Sequence, residues 1–258
     1  MKSIQAEIIK QDHLVDDIYS MYIKNKELTE NAHSGQFVSL YSRDSARLLP
    51  RPISICEIDK KAGTLRLVYR TVGEGTKEFS TLKKGDTIKV VGPIGNGYEL
   101  DCESPILMGG GIGIPPMLQL AKELSDKGVP KDKLTVILGF RDNTFLLNEF
   151  KKIATVYMSS DTGSVGVKGN VIDAANEYGV TGDRIYACGP KPMLRAIKAY
   201  AYEKDIDAFI SLEERMACGI GACLACVCKS VDVDDHSKVN NKRICVDGPV
   251  FNAEEVEL

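Results

Sequence analysis

Three thiols lie within nine residues, Cys218, Cys223 and Cys226, with four residues inside the first gap and two inside the second. A fourth, Cys245, sits in a separate segment, Arg243-Ile244-Cys245-Val246-Asp247-Gly248-Pro249. This spacing suits a two-iron, two-sulfide cluster, where one curled loop gives three thiolates and a distant segment gives the fourth. Gly219 and Gly221 let such a loop adopt positive φ and bring backbone amides near the sulfurs. Those donors tune the potential of an anionic cluster. A four-cysteine zinc site, a C-x-x-C redox pair and buried structural thiols are the competing chemistries. Zinc sites usually show two separated cysteine pairs, whereas three of these thiols crowd one loop. Cys228 fits the spacing of a fourth ligand as Cys245 does. Cys245 is preferred, because a thiol two residues past Cys226 strains an already tight loop. No role is read for Cys56 or Cys102.

Two stretches near residue 60 could hold a phosphate-bearing ring compound. In Arg51-Pro52-Ile53-Ser54, arginine offers a forked cation for phosphate and Ser54 a hydroxyl for a ring heteroatom. In Val68-Tyr69-Arg70, followed by Gly75-Thr76 and a helix-compatible run, the helix start presents free N–H groups and a positive dipole end. Tyr69 could stack on an aromatic ring or simply pack. A third stretch, Gly109-Gly110-Gly111-Ile112-Gly113-Ile114-Pro115-Pro116, sits where a dinucleotide pyrophosphate would, after a strand and before a helix. Counted from Gly111 and Gly113, Pro116 occupies the place of the third glycine of the usual fingerprint. Cys188-Gly189-Pro190 ends a later strand, at the edge where open α/β sheets bind ligands. Glu213 lies just beyond the next strand.

The elements that must position these groups fall into three parts. Over 1–100, short strands at 4–8, 18–23, 36–41, 52–58, Thr64–Arg70 and 87–91 alternate with polar turns, predicting a six-stranded antiparallel β-barrel. Over 101–211, strands at 105–108, 134–139, 155–159, 184–188 and 208–212 alternate with helices near 117–127, 171–178 and 193–203. That alternation predicts a doubly wound parallel α/β domain. Residues 212–258 form a small cluster module. Asp232, Asp234, Asp235, Lys238 and Lys242 read as a solvated hairpin between Cys226 and Cys245. The fold class is thus α/β plus all-β.

A hydrophobic fraction of 43%, a charged fraction of 27% and a net charge of −3 describe an ordinary globular chain. They give no electrostatic reason to bind nucleic acid or an anionic membrane. Residues 1–25 read as neither a signal peptide nor a membrane span, and eight cysteines half grouped as ligands suit a reducing, cytoplasmic setting. His13, His33 and His236 are scattered and read as surface residues.

Together, the Arg51–Ser54 strand motif, the Gly75-Thr76 helix start and the Gly92-Pro93-Ile94-Gly95 turn resemble the FAD-binding barrel of the ferredoxin–NADP reductase superfamily. The resemblance implies that Arg51, Gly75 and Thr76 hold FAD phosphates and that Ser54 faces the isoalloxazine. It also implies that Val68, Tyr69 and Arg70 line the adenine–ribityl side. The Gly109–Gly113 loop resembles that superfamily's nicotinamide domain, whose Cys-Gly-Pro turn lies beside nicotinamide and flavin. Asp142 could bond ribose hydroxyls and Arg141 a 2′-phosphate; the reading favours NADH.

With Leu212-Glu213-Glu214-Arg215-Met216-Ala217 leading into the cysteine loop, the whole chain resembles the electron-transfer subunits of class B dihydroorotate dehydrogenases. Such a subunit exchanges electrons with NAD(H) and relays them through FAD and a [2Fe–2S] cluster. The relay ends at the FMN of a separate catalytic subunit interconverting dihydroorotate and orotate, in a heterotetramer of two plus two. No general acid, base or nucleophile is then required of this chain, and no orotate-binding or second flavin domain is legible in it. Ile220 and Leu224 read as exposed, flanked by small residues that let a partner approach. A homologous small subunit of NADH-dependent ferredoxin:NADP oxidoreductases or sulfhydrogenases is the nearer alternative. A zinc-stapled, non-redox binding module is the distant one.

Overall fold

The computed structural model describes residues 3–233 and 238–258. Asp234, Asp235 and His236 lie outside the described residues. The first part is antiparallel: β1 (Ser3–Val15), β2 (Ile18–Lys24), β3 (Phe37–Tyr41), β4 (Arg51–Asp59), β5 (Thr64–Arg70) and β6 (Thr87–Ile94). They close a barrel in the order β1-β2-β5-β4-β3-β6. Alternation sends Ala6, Ile8, Met21, Ile23, Val38, Leu40, Leu65 and Leu67 into its dry centre. β1 runs well past residue 8 because register shifts at Ile8/Lys10 and His13/Val15 carry a polar stretch along β2 without breaking the pairing. The short helix α1 (Lys26–Glu30) has too few residues for a periodic signal, but Asn25 caps it by accepting from the Leu28 amide (3.2 Å). A second helix, α2 (Glu74–Thr81), packs Phe79 into the same core.

The second part alternates β7 (Pro105–Gly110), α3 (Ile114–Asp126), β8 (Thr135–Phe140), α4 (Leu147–Ile153), β9 (Thr155–Ser160), β10 (Val167–Lys168), α5 (Val171–Glu177), β11 (Arg184–Cys188), α6 (Lys191–Lys204) and β12 (Asp207–Ser211). α3 begins three residues earlier than its apolar stripe predicts. Pro115 and Pro116 occupy its first turn, where a missing N–H costs nothing. α4 is a seven-residue helix that the sequence pattern did not reveal.

The C-terminal part adds β13 (Val227–Lys229), β14 (Asn241–Arg243) and β15 (Val250–Asn252). β13 and β14 form a hairpin, while β15 pairs antiparallel with β12. The larger sheet therefore runs β10-β9-β8-β7-β11-β12-β15, parallel except for its last strand. This pairing ties the cluster segment to the sheet, across the expected boundary at residue 211. The strand order reverses between β7 and β11, which opens a crevice at their carboxyl ends.

Polar side chains bind barrel to sheet domain. The Glu123 carboxylate on α3 accepts from Ser34 N (3.0 Å) and Ser34 Oγ (2.6 Å), and Gln119 Oε1 accepts from Ile58 N (2.8 Å). Arg66, almost wholly buried in the barrel wall, donates to Glu149 (2.6 Å) at the start of α4. A helix that begins at the glycine loop is thereby fixed against the barrel.

Candidate functional site

The cysteine loop is built by its amides. Ile220 N donates to Cys218 Sγ (3.5 Å) and Gly221 N to Cys245 Sγ (3.2 Å), so the two distant segments meet through a backbone donor. Gly219 (φ +67°) and Gly221 (φ +80°) supply the left-handed turns, and a Cβ on Gly221 would come within 2.6 Å of Val246. Cys245 is held in a tight turn by Arg243, whose Nε donates to Asp247 (3.1 Å), and by Ile244 N donating to Cys226 O (2.9 Å). Thiols approach in pairs: Cys218 reaches Cys223, and Cys226 reaches Cys245. Burial opposes ionisation of Cys218, yet amides of Ile220, Ala222 and Cys223 outweigh it and bring the thiol down to about 7. Burial beside Cys226 pushes Cys245 up to about 12, so a bound metal must supply the charge that ionises it. The residues therefore fit the cluster that their spacing implies. Cys228 instead points its thiol at Lys242 O (3.5 Å) in the hairpin, and burial pushes it up to about 11. Cys56 is fully buried and pushed up to about 12 by that burial; Cys102 accepts from Tyr186 Oη (3.5 Å).

The barrel seats the Cys245 segment. Asn96 N donates to Gly248 O (2.6 Å), and Gly95 (φ +82°) lies so close that a Cβ would meet Pro249 at 2.5 Å and Gly248 O at 2.6 Å. We expect Gly95→Ala to cost about 1–3 kcal/mol through backbone strain and overlap. A lowered thermal midpoint with partial loss of cluster absorbance would show it, and an unchanged midpoint would refute the contact.

The proposed flavin residues surround an unzipped seam. Arg51–Ser54 of β4 pair with β3, from Leu40↔Arg51 to Phe37↔Ser54, whereas β4 pairs with β5 only from Ile55↔Leu67 onward. The end of β5, Val68–Arg70, is laddered to β2 alone among the described residues. Backbone groups of both strands thus face an opening. Over it sits the start of α2, and a Cβ on Gly75 would come within 2.6 Å of Arg51 Nε. First-turn amides at 74–76 precede the first helical bond, Lys77 N to Gly73 O (2.9 Å), and remain available to an anion. Thr76 Oγ1 accepts from Val72 N (3.0 Å) and Gly73 N (3.2 Å), so its hydroxyl shapes the turn. This opening beside an arginine and a helix start fits a dinucleotide flavin. Pro52 and Ile53 are half-buried strand residues between Arg51 and Ser54. Of the two roles the sequence leaves open for Tyr69, stacking or packing, the structure shows packing. Tyr69 is buried in the barrel between Tyr19 (6.1 Å) and Phe79 (6.3 Å), and Gln11 Nε2 donates to its hydroxyl (2.9 Å). Its strand offers backbone groups at the seam.

A cavity of about 590 Å³ opens at the crevice of the parallel sheet. Gly110, Gly111 and Pro190 line it, with Arg141 and Asp142 beyond β8. Gly109, Gly113, Cys188 and Gly189 do not; they stand behind its wall, where close packing requires them. A Cβ on Gly113 would lie 2.2 Å from Cys188 O, and one on Gly189 would meet Met193 at 2.3 Å. Sequence reasoning missed Asp161, Asn170 and Met193, and also Asp16, Asp17 and Asn143, which join barrel to sheet across the opening. Asn143 Nδ2 donates to Asp16 (3.0 Å), while Arg70 Nε lies 3.3 Å from Asp17. No local signal marks these residues, because the β1–β2 turn becomes a wall only through tertiary contact.

Cys188 aligns with Gly109 on one side and Ser211 on the other. Burial pushes its thiol up to about 12, eased by a bond with Ser211 and reinforced by the nearby Glu213 charge. It is therefore a neutral thiol at physiological pH. In cluster-free protein at pH 8, iodoacetamide should label Cys218 at least about tenfold faster than Cys188. Peptide mass mapping tests this, and equal rates would contradict the difference in ionisation between the two thiols.

A nicotinamide crevice, a flavin seam and a thiol loop on one scaffold define a ferredoxin reductase-like electron-transfer protein with an iron–sulfur module. Among solved structures, the NADH-dependent reduced ferredoxin-NADP oxidoreductase superposes with a TM-score of 0.87 at 30% identity, over 98% of this chain and 89% of that one. Phthalate dioxygenase reductase shares the fold, with a TM-score of 0.65 at 16% identity over 95% and 94%. Residues 213–257 match the iron–sulfur cluster binding domain of dihydroorotate dehydrogenase B. The dihydroorotate dehydrogenase B (NAD(+)) electron transfer subunits of Listeria innocua and Fusobacterium nucleatum are 44% and 42% identical over the whole of both chains. The chain belongs to this family of electron transfer subunits.

Proposed function

We propose that this chain carries electrons between NADH and a catalytic partner subunit, through FAD at the seam and a [2Fe–2S] cluster at Cys218, Cys223, Cys226 and Cys245. When bound, the flavin exchanges electron pairs with the nicotinamide and single electrons with the cluster. The chain's own residues bind and orient. Arg51 and the α2 amides hold the flavin phosphates, Ser54 faces its ring, and the open backbone edge of Val68–Arg70 borders its stem. Gly110 and Gly111 leave room for the pyrophosphate of NADH, and Pro190 borders its nicotinamide end. Cys188, set between β7 and β12, packs beneath that end and takes no covalent part. Asp142 and Asp161 meet the ribose of the adenosine half, and their charges oppose a 2′-phosphate, which favours NADH over NADPH.

Cys218, Cys223, Cys226 and Cys245 would hold the cluster, and Ile220 and Leu224, 58% and 46% exposed, lie within the loop. That rim receives an FMN-containing dihydroorotate dehydrogenase subunit, in a heterotetramer of two plus two. Cysteines grouped as ligands suit work in a reducing cytoplasm, and the described residues contain no helix long and apolar enough to cross a membrane. The observation carrying this reading is the whole-length match to electron transfer subunits, with three cysteines in one loop and Cys245 joined to it through the Gly221 amide (3.2 Å).

The likeness to the ferredoxin-NADP oxidoreductase structure favours one second reading, in which the same relay serves a different partner. Size-exclusion chromatography with the FMN subunit distinguishes them. Co-elution and NAD-dependent oxidation of dihydroorotate by the mixture are expected. Separate elution, with no such activity, would overturn the assignment of partner.

A further inference from the structure

Between the flavin strand and the cysteine loop lies a hydroxyl without a partner. Ser39 is 1% exposed, and its Oγ makes no hydrogen bond to any described residue. Buried hydroxyls are normally satisfied, since leaving one unmet costs about 1–3 kcal/mol. Its neighbours Val38 and Leu40 point into the barrel, so Ser39 points out of it. Phe37, on that same outer face, packs in the cluster of residues containing Cys226 and Cys245. Across the ladder, Ser39 is opposite Pro52 and Phe37 is opposite Ser54. The hydroxyl therefore shares a face with the residues at the flavin seam. On its other side is the loop: a Cβ on Gly219 would lie 3.5 Å from Ser39 Oγ and 3.6 Å from Ile94. Gly219 directly follows the ligand Cys218.

We propose that Ser39 is a positioning residue whose hydroxyl donates to sulfur at the Cys218 side of the cluster. This inference rests on the reading of the four cysteines as cluster ligands. Pro52 beside it has no N–H to accept the role, and thiolate or sulfide sulfur accepts hydrogen bonds readily when charged. A donor stabilises the reduced cluster, which carries one more negative charge, and so raises its potential. Ser39 thereby eases electron passage from flavin to cluster from the barrel side, opposite the loop's own amides.

The test is anaerobic redox titration of the FAD- and cluster-loaded chain, following the reduced cluster by EPR and the flavin by absorbance. Ser39→Ala should make the cluster about tenfold harder to reduce, which is about 59 mV for a one-electron couple. The EPR line shape should change, while the flavin midpoint and FAD retention stay fixed. Ser39→Thr, which keeps the hydroxyl, should restore the wild-type equilibrium. An unchanged cluster equilibrium in Ser39→Ala would overturn the proposal, as would a shift confined to the flavin. Wild-type protein with no cluster signal would instead remove the cluster reading itself.

Discussion

Cys223→Ser should yield a protein that keeps its flavin and loses its iron. Cys223 is the exposed neighbour of half-buried Cys218, and its replacement would remove one of the four thiolates that would hold the cluster. Serine oxygen is a hard, weakly acidic substitute for the soft sulfur donor. The seam lies beyond β4, on the far side of β3 from β6, so FAD binding and its reduction by NADH should persist. Iron content and the visible spectrum measure the first effect; stopped-flow bleaching of the flavin measures the second. Passage of single electrons to the partner should fall to background. Full-rate transfer in this variant would place the cluster outside the path.

The second large effect is expected at Arg51→Ala. The guanidinium lies against Gly75 at the helix start, with Nη1 donating to Leu49 O. Among the described residues, the neighbouring arginines are engaged elsewhere: Arg47 with Glu78 (2.9 Å) and Arg70 with Asp17 on the crevice side. Loss of one charge-assisted phosphate contact should weaken FAD binding by about 2–3 kcal/mol, roughly 30- to 150-fold. Fluorescence titration of the stripped protein with FAD reads this directly. Unchanged affinity would remove Arg51 from the flavin site.

Much of this molecule was legible because its main signals are local. Barrel strands announce themselves by alternation, and the βα units by apolar strands leading into glycine or proline turns. The cysteine loop is legible for the same reason: three ligands share nine residues. What stayed hidden depends on tertiary closure. In sequence Tyr69 could stack on a ligand or pack, and only the strand register aims it inward. Gly109 and Gly113 look like one phosphate-binding set with Gly110 and Gly111, and Gly189 like part of a nicotinamide turn. Only their contacts with Ile114, Cys188 and Met193 show that they serve packing. β15 is three residues long, and it joins a sheet whose other members end forty residues earlier. The seam is the clearest case, since β4 changes partner at Ile55 and no residue type signals that switch.

The central claim is that NADH electrons reach the four-thiolate cluster singly, by way of the bound flavin. Anaerobic titration of the loaded chain with NADH, followed by absorbance and EPR, tests it most directly. Three electrons fill both centres, so bleaching of the flavin and growth of the reduced-cluster signal should finish at about 1.5 equivalents of NADH. Flavin bleaching complete at one equivalent, with the iron still oxidised however much NADH is added, would contradict it.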